Sequence, residues 1–189
     1  ENVERVSKFY KRQEYDNIYY QNTTLGGGYL YGIGQDYFAS CNYQIQEGRG
    51  FDDKDYQGQR KVAILDRDSE EALFQGEKAV GKTIEIKGEP YTVVGIVAKS
   101  KEFEPVINSM EDYYTYAESS SGAVYVPKAT WPIIYQYDEP ESILLKVKST
   151  DDMTAAGKGS ADILNNYLSV SDETIKYKAE DLLEQAKEI

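Results

Sequence analysis

The middle of the chain alternates apolar and charged positions at a period of two, the pattern of half-buried β-strands. In KTIEIKGEPYTVVGIVAKS (residues 82–100), Ile84 and Ile86 sit between polar or charged neighbours. A KGEP turn follows, and the run resumes as YTVVGIVA, so the segment predicts a β-hairpin. KVAIL (residues 61–65) and AVYVP (residues 123–127) are short apolar, β-branched runs and predict buried strands. Residues 2–21 alternate in places, and the loop NTTLGGG then leads into YLYGIG, which predicts a strand, turn, strand hairpin at the N-terminal end.

Helical patterns are fewer. DRDSEEALFQ (residues 66–75) begins with aspartates able to cap a helix, keeps acids in its first turn and reaches Gly76 after Phe74 and Gln75, predicting about two turns. QDYFASC (residues 35–41) predicts a short helix or turn. NYQIQEGRGFDDKD (residues 42–55) predicts a loop with an acidic cluster, and residues 102–122 a surface excursion rich in acids, tyrosine and serine. Beyond the proline-bounded KATWPIIYQYDEPE, the order becomes strand ILLKVKS, helix TDDMTAAGKGSADILNNYL, strand ETIKYKAE and helix LLEQAKEI. The fold class expected is α+β, with an α/β subdomain formed by both chain ends (residues 1–30 and 141–189) and a β-rich subdomain inserted between them (residues 31–140).

Composition narrows the chemistry. The 189 residues are 40% hydrophobic, as in folded proteins, and carry a net charge of -12, which repels nucleic-acid phosphates. With no histidine, the usual catalytic triads, imidazole metal sites and near-neutral general base are absent. The single cysteine, Cys41, can form no internal disulfide and reads as a small semi-apolar residue. The uncharged run over residues 18–35 is interrupted by glycines and polar residues and does not match a membrane span.

Three groups of residues invite a chemical reading. Residues 76–83, GEKAVGKT, satisfy the phosphate-cradling pattern GxxxxGK[ST]. A phosphate loop needs a strand before its glycines and a helix after them. Here the helix precedes and the strand follows, so Gly76 is expected to end a helix, Gly81 to permit a turn, and Lys82 to be a solvated edge residue, with no ATP or GTP bound. Asp52, Asp53 and Asp55 depart from the calcium-loop pattern and are expected to form a solvated acidic turn. Asp66 and Asp68 lie where a helix cap lies, and capping is the simpler account than a catalytic carboxylate pair.

Eighteen tyrosines cluster in DNIYYQ, MEDYYTYAE and IIYQYDEP. The first and third clusters are expected on packed strands. The second, Tyr113, Tyr114 and Tyr116, falls in the excursion and is the candidate partner-contact surface.

The ordered series YGIGQDYF, EGRGF followed by DDKD, KVAIL and ALFQGEKAVGKTIEIKGEPYTVVGIV resembles the MacB-like periplasmic core domain of ABC transporter permeases. AVYVP and residues 143–168 are similar to that family's later strand and return, and Gln75 between Phe74 and Gly76 is a one-residue departure at a turn. The resemblance implies a porter-like α/β subdomain built from both ends, with Glu1 falling inside the family domain. It also implies a non-enzymatic, extracytoplasmic domain anchored by transmembrane helices outside these residues. No cofactor and no catalytic residue is implied. The partners implied are a cytoplasmic ABC ATPase acting across the membrane, an adaptor protein, a permease homodimer, and an exported peptide, antibiotic or lipoprotein. A cell-surface glycan- or peptide-binding module is the alternative, and a carboxylate-based hydrolase comes third.

Overall fold

The computed structural model describes residues 2–99, 122–136, 139–168 and 176–179. The chain divides into two compact units, Ser7–Leu144 and a unit made of Glu1–Val6 with Leu145–Ile189. The fold is α+β.

Ten strands are found among the described residues: β1 (Val3–Glu14), β2 (Ile18–Tyr20), β3 (Thr23–Thr24), β4 (Gly28–Ile33), β5 (Tyr43–Gly48), β6 (Val62–Asp66), β7 (Thr83–Ile86), β8 (Glu89–Lys99), β9 (Ala123–Pro127) and β10 (Ser142–Val147). They follow the order β10-β1-β4-β9-β6-β8-β7-β2-β3, with β5 added to β8. The sheet is mixed, since β4 with β9 and β6 with β8 are parallel and the other described pairings are antiparallel.

Burial follows strand position. Val62, Ala63, Ile64 and Leu65 of β6 are all buried, because this strand has neighbours on both edges and packing on both faces. Strand β7, nearer the edge, buries only Ile84 and Ile86, as its alternation predicts. The β7–β8 hairpin closes through Lys87 and Gly88, both at positive φ, the geometry that matches the right-handed twist of paired strands.

Short helices complete the Ser7–Leu144 unit: α1 (Tyr37–Ser40), α2 (Asp53–Gln57), α3 (Arg67–Phe74) and α4 (Trp131–Ile134). Helix α3 starts where its sequence says. Asp66 accepts from the Ser69 amide, and Gln75 at φ 50 with Gly76 at φ 91 ends the helix through left-handed backbone. Its buried Leu73 and Phe74 join a core with Ile84, Tyr91, Val93, Ile96 and Trp131. Each fully buried aliphatic or aromatic side chain contributes about 1.5–3 kcal/mol.

Three sequence expectations are corrected here. The N-terminal pairing exists, Phe9 through Glu14 lying antiparallel to Ile33 through Gly28. Its connection is more than a loop, because β2 and β3 form a small hairpin whose β2 pairs with β7. Residues 42–55 are not one loop, since Tyr43–Gly48 form β5 and Asp53–Gln57 form α2, capped by Asp52; Asp52 and Asp53 are exposed as expected, but Asp55 is 0% exposed. Of the third tyrosine cluster, Tyr135 ends the short helix α4 rather than lying on a strand and packs on Trp131 at 4.5 Å, while Tyr137 lies outside the described residues.

In the second unit a 14-residue helix, α5 (Met153–Asn166), follows β10. The Asn165 amide donates to the Tyr177 carbonyl at 3.0 Å and accepts from the Tyr177 N–H at 2.8 Å, clamping residues 176–179 beside the helix. Those four residues have no regular secondary structure. The rest of the expected ETIKYKAE strand and the expected final helix lie outside the described residues.

Candidate functional site

The octapeptide at residues 76–83 is the first place to look for chemistry. Four of its backbone donors are committed to the protein itself. The Glu77 amide donates to the Phe74 carbonyl at 2.9 Å, Gly81 to Val93 at 2.8 Å and Lys82 to Ala79 at 3.0 Å. The Ala79 amide donates to the Glu70 carboxylate at 3.2 Å. These amides do not converge on one point, as phosphate binding requires. The Lys82 ammonium pairs with Glu77 and lies over the Tyr20 and Phe74 rings at 5.5 Å and 5.8 Å. Lys82 is therefore half-buried and engaged, which corrects its expected place as a solvated edge residue.

The same turn forms one wall of an open cleft of about 450 Å³ beside α3. Five carboxylates line it, from Glu47, Asp68, Glu70, Glu71 and Glu77, against the cations of Arg67 and Lys78. Arg67 is bound by Glu47 at 2.9 Å and by Glu70 at 2.8 Å. Burial and the neighbouring Asp66 charge push the Asp68 carboxyl above its usual range. The cleft repels anions, phosphates included.

The other acids are structural. Asp66 directs one oxygen to the Ser69 amide and the other to the Ala123 amide, each at 2.8 Å, so it caps α3 and pins the start of β9. Capping is as the sequence suggested. The pinning of β9 joins positions 57 residues apart and leaves no local signal. Asp55 accepts a two-pronged bond from Arg49 at 2.6 Å and 3.1 Å, and completes a reciprocal cap with Asp52 at 3.0 Å on each side. Burial raises the Asp55 carboxyl, but the Arg49 bonds, the Asp52 amide and the Arg49 and Arg60 charges outweigh it and leave the carboxyl below its usual range. Cys41 is half-buried, and burial pushes its thiol up to about 11, the wrong direction for a nucleophile. Among the described residues no group of three or more Cys, Asp or Glu side chains is arranged to hold a metal ion.

The aromatic residues make a more distinctive surface. On one face of the sheet, Tyr31 stacks on Tyr125 at 5.1 Å, Phe38 meets Tyr125 edge-on at 4.9 Å, and half-buried Phe9, Tyr31, Phe38 and Tyr43 pack around buried Ile33, Tyr37, Ile64 and Val97. The Lys11 ammonium lies over the Tyr29 ring at 4.5 Å. Tyr113, Tyr114 and Tyr116, the candidate contact named from the sequence, lie outside the described residues.

Two glycines meet where β5 pairs with β8. Gly48 of EGRGF lies opposite Gly95 of VVGIV in the β5–β8 register, where β5 bulges and the Arg49 amide donates to Val94 at 2.9 Å. A Cβ at Gly48 would stand 2.1 Å from the Val94 carbonyl oxygen, and one at Gly95 2.3 Å from that of Arg49. Two separated glycine landmarks thus meet at one backbone crossing. The sequence matches the MacB-like periplasmic core domain over residues 1–160. The chain belongs to the MacB-like periplasmic core domain family. That domain is a periplasmic part of ABC transporter permeases.

The chain is 32% identical over 161 residues to an uncharacterized ABC transporter permease, YvrN, of Bacillus subtilis, covering 85% of this chain and 37% of the relative. It is 28% identical over 148 residues to the macrolide export ATP-binding/permease protein MacB of Neisseria gonorrhoeae, covering 77% of this chain and 21% of that protein. The chain thus spans well under half of these relatives. Among solved structures, the periplasmic region of MacB from Actinobacillus actinomycetemcomitans matches with a TM-score of 0.68 at 20% identity, over 99% of this chain and 77% of that one. The extracellular domain of the transporter YknZ from Gram-positive bacteria matches with a TM-score of 0.62 at 20% identity, over 87% of this chain and 76% of that one. Both likenesses concern the fold.

Proposed function

We propose that this MacB-like domain is a non-catalytic extracytoplasmic part of an ABC transporter permease, coupling ATP hydrolysis on the cytoplasmic side to export or signalling. The family match over residues 1–160 carries the reading. The absence of histidine from the sequence and the use of Asp55 and Asp66 as caps and braces are consistent with it. In this proposal the partners are a cognate ABC ATPase, acting indirectly across the membrane, an adaptor protein and a second permease copy. The cargo is a peptide, an antibiotic or a lipoprotein.

The proposal keeps a porter-like subdomain from residues 1–30 and 141–189 around an inserted subdomain, 31–140. It also keeps Tyr113, Tyr114 and Tyr116 as a contact, on the strength of their composition alone. No described helix is long and apolar enough to cross a membrane. The family match assigns anchoring, within this proposal, to helices outside these residues. The full-length reading frame tests this: one transmembrane helix before this segment and three after it are expected, and a frame without them contradicts the proposal.

A second reading, a cell-surface glycan- or peptide-binding module, draws on the half-buried tyrosines beside Lys11. Micromolar binding of the isolated chain on a glycan or peptide array would favour it.

A further inference from the structure

Residues 139–141 belong to the Ser7–Leu144 unit and lead into β10, and several side chains hold them. Glu139 accepts the indole N–H of Trp131 and pairs with Arg12 of β1. Glu141 pairs with Lys128 at 2.5 Å and with Lys8 of β1 at 3.1 Å. The two carboxylates are only 12% and 20% exposed, whereas Lys8 and Arg12 keep about half their surface in water. Trp131 itself is 0% exposed and stacked on Tyr10 at 5.0 Å. Charge-assisted bonds in a partly dry site are strong, and each acid here grips two different elements. Pro140, between them, donates no backbone hydrogen bond and limits what the main chain can contribute.

We propose that residues 139–141 are an ionic strap, a discrete latch that docks on Trp131, Lys128, Lys8 and Arg12 and fixes the chain where it enters β10. Released, the strap frees β10 to move while β6 and β8, whose burial does not depend on it, stay ordered. The inference stands apart from the transport reading, since it concerns the local stability of this chain alone.

The test uses the 189-residue chain and hydrogen–deuterium exchange, with the only tryptophan, Trp131, as a second reporter. In Glu139→Gln/Glu141→Gln, amides of residues 141–147 are expected to exchange on the order of tenfold faster or more, while those of β6 and β8 keep their wild-type rates. Trp131 emission should shift to the red as its N–H edge meets water. Lys128→Gln, which removes one partner and leaves both acids, should loosen the same amides to a smaller extent. Unchanged exchange in both variants would overturn the latch, because the carboxylates would then not hold the strap. Parallel loosening of β6, β8 and β10 would also overturn it, because the strap would then be part of one cooperative core.

Discussion

Gly95→Ala is expected to destabilise the domain by about 3 kcal/mol, the upper end of what overpacking costs, and to lower Tm by roughly 6–12 °C. The new methyl would lie 2.3 Å from the Arg49 carbonyl oxygen and 3.2 Å from that of Glu47. Both are backbone atoms in a bulged crossing, so no side-chain rotation relieves the overlap. Gly48→Ala should cost at least as much, since its Cβ meets the Val94 oxygen at 2.1 Å and its φ of 70° adds left-handed strain. The two glycines face each other, so the double variant should be less damaging than the sum of the singles once the strands have separated. Gly76→Ala is the control. It has φ 91° but open space around its Cβ, and should cost only about 1 kcal/mol. Chemical denaturation of the four variants checks the order; a Gly95→Ala domain as stable as Gly76→Ala would contradict the crossing.

The second large effect is expected at the Arg49–Asp55 pair. Asp55→Ala removes a two-pronged charged bond and half of a reciprocal cap, and leaves the Asp52 amide without its acceptor. A loss of about 3 kcal/mol is expected. Arg49→Met should be worse than Asp55→Asn, because it strands a fully buried carboxylate with only Arg60, at 3.8 Å, as a cationic partner. The pH dependence has opposite signs in the two proteins. In wild type the folded Asp55 carboxyl lies below its unfolded value of about 3.9, so its contribution is complete above that value and is lost as pH falls through the folded one. In Arg49→Met the folded value should rise above the unfolded one, so stability relative to wild type should improve on acidification from pH 7 toward pH 5. Denaturant midpoints for both proteins across pH 3–7 read this directly, and parallel curves would show that Arg49 does not hold the carboxyl down.

These two sites also show what a sequence discloses and what it hides. Strand alternation at Ile84 and Ile86, the apolar KVAIL run and the Asp66 cap are local signals, and each appears in the structure where its pattern put it. GEKAVGKT was legible as a turn for the same reason, since helix before and strand after are both local. Its lysine was not, because the rings of Tyr20 and Phe74 and the Glu77 carboxylate reach Lys82 only once β2 packs near α3. Asp55 was hidden in the same way. Three aspartates in five residues look solvated until Arg49 folds back over one of them. Gly48 and Gly95 were visible as landmarks but not as partners, because 46 intervening residues carry no mark of the register that joins them. Tyr135 looked like a strand residue beside Ile133 and Ile134, but Pro132 in the first turn and Trp131 beneath it favour a short helix.

The central claim, that this domain couples to ATP hydrolysis across the membrane, is tested most directly by ATPase rate. The full-length permease and its cognate ATPase would be reconstituted in proteoliposomes, and a Fab raised against the isolated 189-residue chain added to the face opposite the ATPase. The account predicts a saturable change in ATP hydrolysis as the Fab fills its sites. A rate that stays constant at full Fab occupancy would contradict it.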